Sequence, residues 1–167
     1  MQNRSLLHLL KKQVKRMAWR VLPASMIMQI KKHHYFKLLR SWSPDSEQNI
    51  RVVRALVKEG DTILDIGANI GVYCKTLSEL VGSTGCVYAI EPFPSTYRIL
   101  CNNVKRLDIR NVEILNVAVS DTQSCVIMEL PENSSGRETH YRARIVDSES
   151  VGRKLQHYEV QCITLDE

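Results

Sequence analysis

Two acidic residues of this chain stand where chemistry is often done. Asp65 is followed by Ile66, Gly67, Ala68, Asn69, Ile70 and Gly71, and Glu91 by Pro92, Phe93 and Pro94. Each acid closes or follows a short apolar run, Thr62 to Ile66 and Cys86 to Ile90, and such runs bounded by turn residues read as strands. Carboxylates at the carboxyl ends of neighbouring parallel strands, flanking a glycine turn, frame the crevice in which open α/β sheets bind ligands. They accept hydrogen bonds from hydroxyl or ammonium groups, while Gly67 and Gly71 keep the backbone clear of the ligand. Either acid alone would serve as well for a helix cap; the pair around a glycine turn points to a ligand.

The loop narrows the choice. A dinucleotide fingerprint needs glycine at the second and third positions of GxGxxG, where the backbone meets a pyrophosphate. Asn69 and Val72 occupy those positions here, which disfavours a nicotinamide-dependent oxidoreductase. A phosphate-binding P-loop is excluded because no Lys-Ser or Lys-Thr follows at the required spacing. What is left suits a zwitterion, with its ammonium near Asp65 and its carboxylate at the amides of a helix starting near Gly71. Glu91 lies 24 residues beyond Gly67, close to the ~20 expected of an acid that holds a ribose diol. Ribose joined to an amino acid without phosphate describes S-adenosylmethionine.

The elements that must position these residues alternate in type. Strand Thr62 to Ile66, helix Val72 to Leu80, strand Cys86 to Ile90, helix Ser95 to Leu107 and strand Val112 to Val117 make βαβ units. Their fold class is α/β, with a parallel sheet covered on both faces. Upstream, "SWSPD" from Ser41 to Asp45 is a turn-rich boundary between an N-terminal segment, 1–45, and the domain proper, 46–167. A helix from Ser46 to Lys58 follows, with Ile50, Val53, Leu56 and Val57 on one side and Gly60 as its stop. After Asp121, "SCVIMEL" and "HYEVQCITL" read as strands of an antiparallel addition, separated by a polar stretch from Pro131 to His140.

Charge divides the chain in the same place. The first forty residues hold six Lys and four Arg and no acid, a charge of +10, which leaves −5 on the rest of a chain whose net charge is +5. An acidic body disfavours nucleic acid as its partner. From Ser5 to Arg20, Leu6, Leu7, Leu10, Val14, Met17 and Ala18 repeat at helical spacing among lysines and arginines. This basic amphipathic helix suits either peripheral contact with a membrane surface or acidic partner, through residues 4–40, or docking on the domain with a solvated basic face. A transit peptide is a third, weaker reading, because the segment is rich in Lys. Val21 to Ile30 is the longest uncharged run there and falls short of the ~20 residues that span a bilayer. Five cysteines without a CxxC pair fit reduced thiols of the cytoplasm and give no metal site.

With these residues in place, "DTILDIGANIGVY", "GCVYAIEPFPSTYRILCNNV", "NVEILNVAVSD" and "TLDE" together resemble the FkbM-type methyltransferases, of the Rossmann-like class I fold that uses S-adenosylmethionine. The resemblance runs from about Gly60 to Glu167. It implies that Asp65, Gly67, Ala68, Asn69 and Gly71 line the methionine end of the cofactor and that Glu91 holds the ribose. It further implies that Pro92 and Phe93 shape the adenosine pocket, with Asn116 and Ala118 near adenine, largely through backbone. The implied reaction is methyl transfer to a hydroxyl of a glycan or secondary metabolite.

In that family a further strand follows "TLDE" and lies beside the first one. Its absence here leads to the expectation of a C-terminally incomplete chain, with an exposed apolar edge and a tendency to aggregate or to need a partner. It also keeps open a second function, a catalytically incomplete cofactor-binding or interaction module. No residue is assigned as general base: His33, His34, His140 and His157 read as surface or packing groups, as do Trp19 and Trp42. Acceptor and oligomeric state are left open.

Overall fold

The computed structural model describes residues 21–44, 47–130, 144–146 and 156–166. The amphipathic segment from Ser5 to Arg20, Ser46, and the polar stretch with His140 lie outside the described residues. Helix α1 spans Ala24–Ser41 and α2 spans Gln48–Leu56. The βαβ units follow as β1 Thr62–Ile66, α3 Val72–Val81, β2 Cys86–Ile90, α4 Pro94–Arg106 and β3 Val112–Leu115. A second group comprises β4 Ala118–Val119, β5 Ser124–Leu130, β6 Arg144–Val146 and β7 Gln156–Ile163.

The first three strands form a parallel sheet in the order β1-β2-β3. Register places Asp65 beside Ala89 and Ala89 beside Ile114, so alternate residues share a face. On the face carrying Ile63, Val87, Ala89, Val112 and Ile114, α3 contributes Cys74, Leu77 and Val81 and α4 contributes Leu100 and Val104. These residues are the core that holds both strand-to-helix turns in place. The second sheet has the order β4-β7-β5-β6, with β7 parallel to β4 and antiparallel to β5. Its apolar face packs on Phe93 through Ala118, Met128, Val160 and Cys162.

Local chemistry sets the helix ends. Pro94 opens α4, where its fixed φ and missing N–H cost nothing, and Lys105 and Arg106 close it against the negative end of the helix dipole. Asn111 joins the end of α3 to the start of β3. Its Nδ2 donates to the carbonyls of Ser78 at 3.0 Å and Gly82 at 2.7 Å, while its Oδ1 accepts from the Ser78 hydroxyl at 2.6 Å. The last carbonyls of a helix lack intrahelical donors, and Asn111 supplies them from the neighbouring strand.

Four expectations are corrected. The helix before the first strand ends at Leu56 rather than Lys58, and Leu56 is 71% exposed while Ile50 is buried. Gly60 is not its cap: it forms the turn into β1, its N–H bonded to the Val81 carbonyl at 2.8 Å. The third strand stops at Leu115, because Asn116 turns its side chain back to β2 and the chain steps into the second sheet at Ala118. The parallel sheet is not covered on both faces among the described residues, since Leu64 and Ile66 are 50% and 54% exposed and β1 has no second neighbour.

Asn111→Ala should lower stability by about 1–3 kcal/mol, the usual cost of leaving part-buried carbonyls without donors. Urea unfolding should show it as a lower midpoint at unchanged slope.

Candidate functional site

The crevice is built where three strands end. Beyond Ile66 the chain leaves β1, and the Gly67 and Ala68 N–H groups both donate to the Ile90 carbonyl, at 2.8 and 3.0 Å. Three of the next residues have left-handed backbone: Gly67 at φ 80°, Asn69 at φ 53° and Gly71 at φ 95°. Asparagine tolerates this conformation better than most side chains, so Asn69 replaces a glycine without breaking the turn. Gly71 then opens α3, accepting from Lys75 N–H at 3.1 Å.

The two glycines do different work. A Cβ on Gly71 would lie 2.9 Å from Leu100 Cδ1, so this glycine lets α3 and α4 close together. A Cβ on Gly67 would meet nothing within 4 Å. The space above Gly67 is open, as a ligand approaching the strand ends requires.

Glu91 ties the turns to one another. Its Oε2 accepts from Asn69 N–H at 2.9 Å and its Oε1 from Phe93 N–H at 3.0 Å. Asn116, at the end of β3, donates through Nδ2 to the carbonyls of Glu91 at 2.8 Å and Pro92 at 2.9 Å. From behind, the fully buried Asn103 of α4 donates to the Ile70 carbonyl at 2.8 Å.

Asp65 is less well served. Its Oδ2 is buried and has no hydrogen-bond partner, and the same holds for Asn69 Oδ1 in the loop. Burial pushes the Asp65 carboxyl up to about 6, opposed only by the Cys74 backbone N–H. Burial also raises Glu91, and the N–H groups of Phe93 and Asn69 offset part of that, with Asp65 adding repulsion. Cys74 beneath them is pushed up to about 12 by burial and by Asp65, so its thiol is inert at neutral pH. Two buried carboxyls above their ordinary range are a deficit of positive charge and of donors, which a cationic, hydroxyl-bearing ligand would fill.

The structure brings Asp65, Gly67, Ala68, Asn69, Gly71, Glu91 and Pro92 together at the strand ends, with Asn116 bonded to them. The side chains of Phe93 and Ala118 turn away into the apolar cluster of the second sheet, while the Phe93 N–H stays bonded to Glu91. Phe93 is 1% exposed and packs edge-on against Tyr158 at 4.7 Å, and Ala118 lies in the same apolar cluster. His33 and His34 sit on α1, and His157 on β7 faces Glu129 across the ladder, 3.7 Å between Nε2 and Oε2. Reading the sequence missed Asn103, whose signal was a polar residue among Thr96, Ile99, Leu100 and Val104 on the inward face of α4. It also missed Ser95, whose buried Oγ in the first turn of α4 has no partner.

The profile of the methyltransferase FkbM domain matches residues 65–167. The chain therefore belongs to that family, whose methyl donor is S-adenosylmethionine. Protein-L-isoaspartate O-methyltransferase of Methanococcoides burtonii is 36% identical over 73 residues, 44% of this chain and 34% of that protein. A probable cobalt-precorrin-6B C(15)-methyltransferase (decarboxylating) of Sulfolobus acidocaldarius is 33% identical over 75 residues, 43% of this chain and 39% of that one. The chain thus spans little more than a third of the length of these curated relatives. Among solved structures, a SAM dependent methyltransferase from Aquifex aeolicus matches 50% of this chain and 45% of its own, with 32% identity and a TM-score of 0.40.

Gly71→Ala should cost about 1–3 kcal/mol of stability, as for a side chain forced into left-handed backbone. The loss should exceed that of Gly67→Ala, because only the new methyl at position 71 meets a packed side chain, and paired urea curves would check the order. A second expectation concerns pH. The folded chain holds its Asp65 proton to about 6, from an ordinary 3.8, so between those values the unfolded state releases a proton that the folded state keeps. Stability of the ligand-free chain should then fall as pH rises through that window, by up to about 3 kcal/mol at about 1.4 kcal/mol per tenfold change in proton affinity. Asp65→Asn should flatten this part of the pH profile and be the more stable chain at pH 7.

Proposed function

We propose that this chain binds S-adenosylmethionine in the crevice between Asp65 and Glu91 and serves methyl transfer to a hydroxyl of a glycan or secondary metabolite. The observation that carries this reading is the pair of carboxyls at adjacent strand ends beneath the open space at Gly67, Asp65 with a buried oxygen that has no partner and Glu91 bonded to both strand-to-helix turns. When bound, the cofactor supplies a methyl group activated by sulfonium, which an oxygen nucleophile displaces. The residues of the chain supply recognition and alignment.

Asp65 Oδ2, buried and without a partner, is a hydrogen-bond acceptor for the ammonium of the methionine part. Each Glu91 oxygen already accepts one N–H and keeps a second lone pair for a ribose hydroxyl. The carboxylate would meet the N-terminal end of α3, where the first N–H groups of a helix lack intrahelical acceptors. Pro92 and the Asn116 side chain hold the wall on the adenosine side. The hydroxyl acceptor is drawn from the family, because the curated relatives match less than half of this chain.

A second reading, cofactor binding without turnover, is favoured by the uncovered outer face of β1, where Leu64 and Ile66 are exposed among the described residues. Calorimetric titration of the chain with S-adenosylmethionine, with Asp65→Ala and Glu91→Ala beside it, tests both. Native binding weakened about tenfold or more by each substitution is expected, the scale of a lost hydrogen bond to a charged group. Absence of binding by a sample that melts cooperatively would overturn the proposal. Binding with no methyl transfer to any of a panel of hydroxyl acceptors would favour the second reading.

A further inference from the structure

Away from the crevice, α1 carries a groove of about 470 Å³ lined by His33, Phe36, Lys37, Arg40, Ser41 and Arg106. None of these residues belongs to the cofactor site. The Arg106 guanidinium lies over the Phe36 ring, 3.6 Å from its centroid, which fixes one cation beside an apolar floor. Lys37, Arg40 and Arg106 have no carboxylate partner among the described residues, and no acidic residue lines the groove. The whole of α1 is free of acids.

The groove continues an apolar stripe. Positions 26, 30, 33, 37 and 40 recur at spacings of four and three and so share one side of the helix. The first two are Met26 and Ile30, 54% and 43% exposed, and the last three are His33, Lys37 and Arg40, all exposed. One exposed line therefore has an apolar first half and a basic second half, backed by Phe36 and Leu39, which hold the helix on the domain.

We propose that this stripe, with Arg106, is a docking surface for an anionic lipid bilayer. A bilayer surface offers both halves of the complement: phosphate and carboxylate headgroups for Lys37, Arg40 and Arg106, and the acyl boundary for Met26 and Ile30. A nucleic acid offers phosphates but no apolar layer, and the −5 charge of the chain after residue 40 repels it. Residues 1–20, which precede the stripe in the sequence, carry three Lys and three Arg and no acid. The proposal stands apart from the methyl donor, since it uses none of the crevice residues.

Sedimentation of the full chain with vesicles of phosphatidylcholine, alone or with about a third phosphatidylserine, tests it. Binding to the mixed vesicles only is expected. The double variant Lys37→Glu, Arg40→Glu should bind them at least about tenfold less, and Met26→Ser, Ile30→Ser several-fold less, at unchanged melting temperature. Inorganic phosphate at the same ionic strength as chloride should displace the chain no better than chloride does. Equal binding to neutral vesicles, no binding at all, or native binding by the charge-reversed variant would overturn the proposal; the last would assign the contact to residues 1–20 instead. Selective displacement by phosphate would also overturn it, in favour of a site for a soluble phosphate compound.

Discussion

The carboxylate of Glu91 is the point on which the crevice at the strand ends depends. It is 7% exposed, and in place of water it accepts the N–H groups of Asn69 and Phe93, one from each strand-to-helix turn. A charged acceptor with two backbone donors is among the stronger hydrogen-bonded arrangements in a protein. Here it spans turns 22 residues apart in sequence, so the loop after β1 cannot move without the loop after β2. Asn116 extends the tie to β3, and Asn103 secures the first loop against α4. The side chains that hold the crevice are thus one carboxylate and two amides, each bonded to main chain, where geometry is least adjustable.

That network depends in turn on left-handed backbone between β1 and α3. Turning Asn69 so that its N–H reaches Glu91 needs positive φ at position 69, and entry into α3 needs it again at Gly71. Gly71 carries a second requirement, because Leu100 occupies the space a side chain would take. Packing of α4 against the start of α3 and the shape of the loop are therefore linked through one position. Gly67 has no such neighbour, and its missing side chain leaves open space rather than contact.

What was legible in the sequence follows from how local its cause is. The strands Thr62–Ile66 and Cys86–Ile90 are marked by apolar runs between turn formers, and the structure gives them those bounds. The helix expected from Ser95 begins one residue earlier, at Pro94, whose fixed φ suits the first helical position. Features set by distant contacts were not legible. The end of β3 at Leu115 depends on Asn116 reaching the carbonyls of Glu91 and Pro92, some two dozen residues back. Leu56 follows the helical period of α2 yet is exposed, since periodicity says which residues share a side and not whether anything covers it. The ring of Phe93 packs edge-on against Tyr158 of β7, a contact between residues far apart in sequence that its motif does not announce. The crevice acids and glycines could be read from motif spacing; the amides that hold them could not, because an asparagine in a helix or at a strand end has no pattern until its partner is known.

The two acids of the crevice are not equivalent, and the difference bears on what each can bind. Glu91 has two N–H donors of its own, so its charge is already partly answered and its remaining lone pairs suit neutral hydroxyl donors. Asp65 has a single opposing N–H, an oxygen with no partner, and a proton retained to about 6. In the ligand-free chain near neutral pH it is the group whose ionisation is least compensated, and a cation is the ligand that compensates it most. A molecule with hydroxyls at one end and an ammonium at the other meets this asymmetry only one way round, hydroxyls to Glu91 and ammonium to Asp65. Orientation would then be set by charge before any contact with the transferring group. A dinucleotide, anionic along its middle, would bring its charge past both carboxylates, and the loop, with Asn69 in place of a second glycine, gives its phosphates no compensating approach to the backbone.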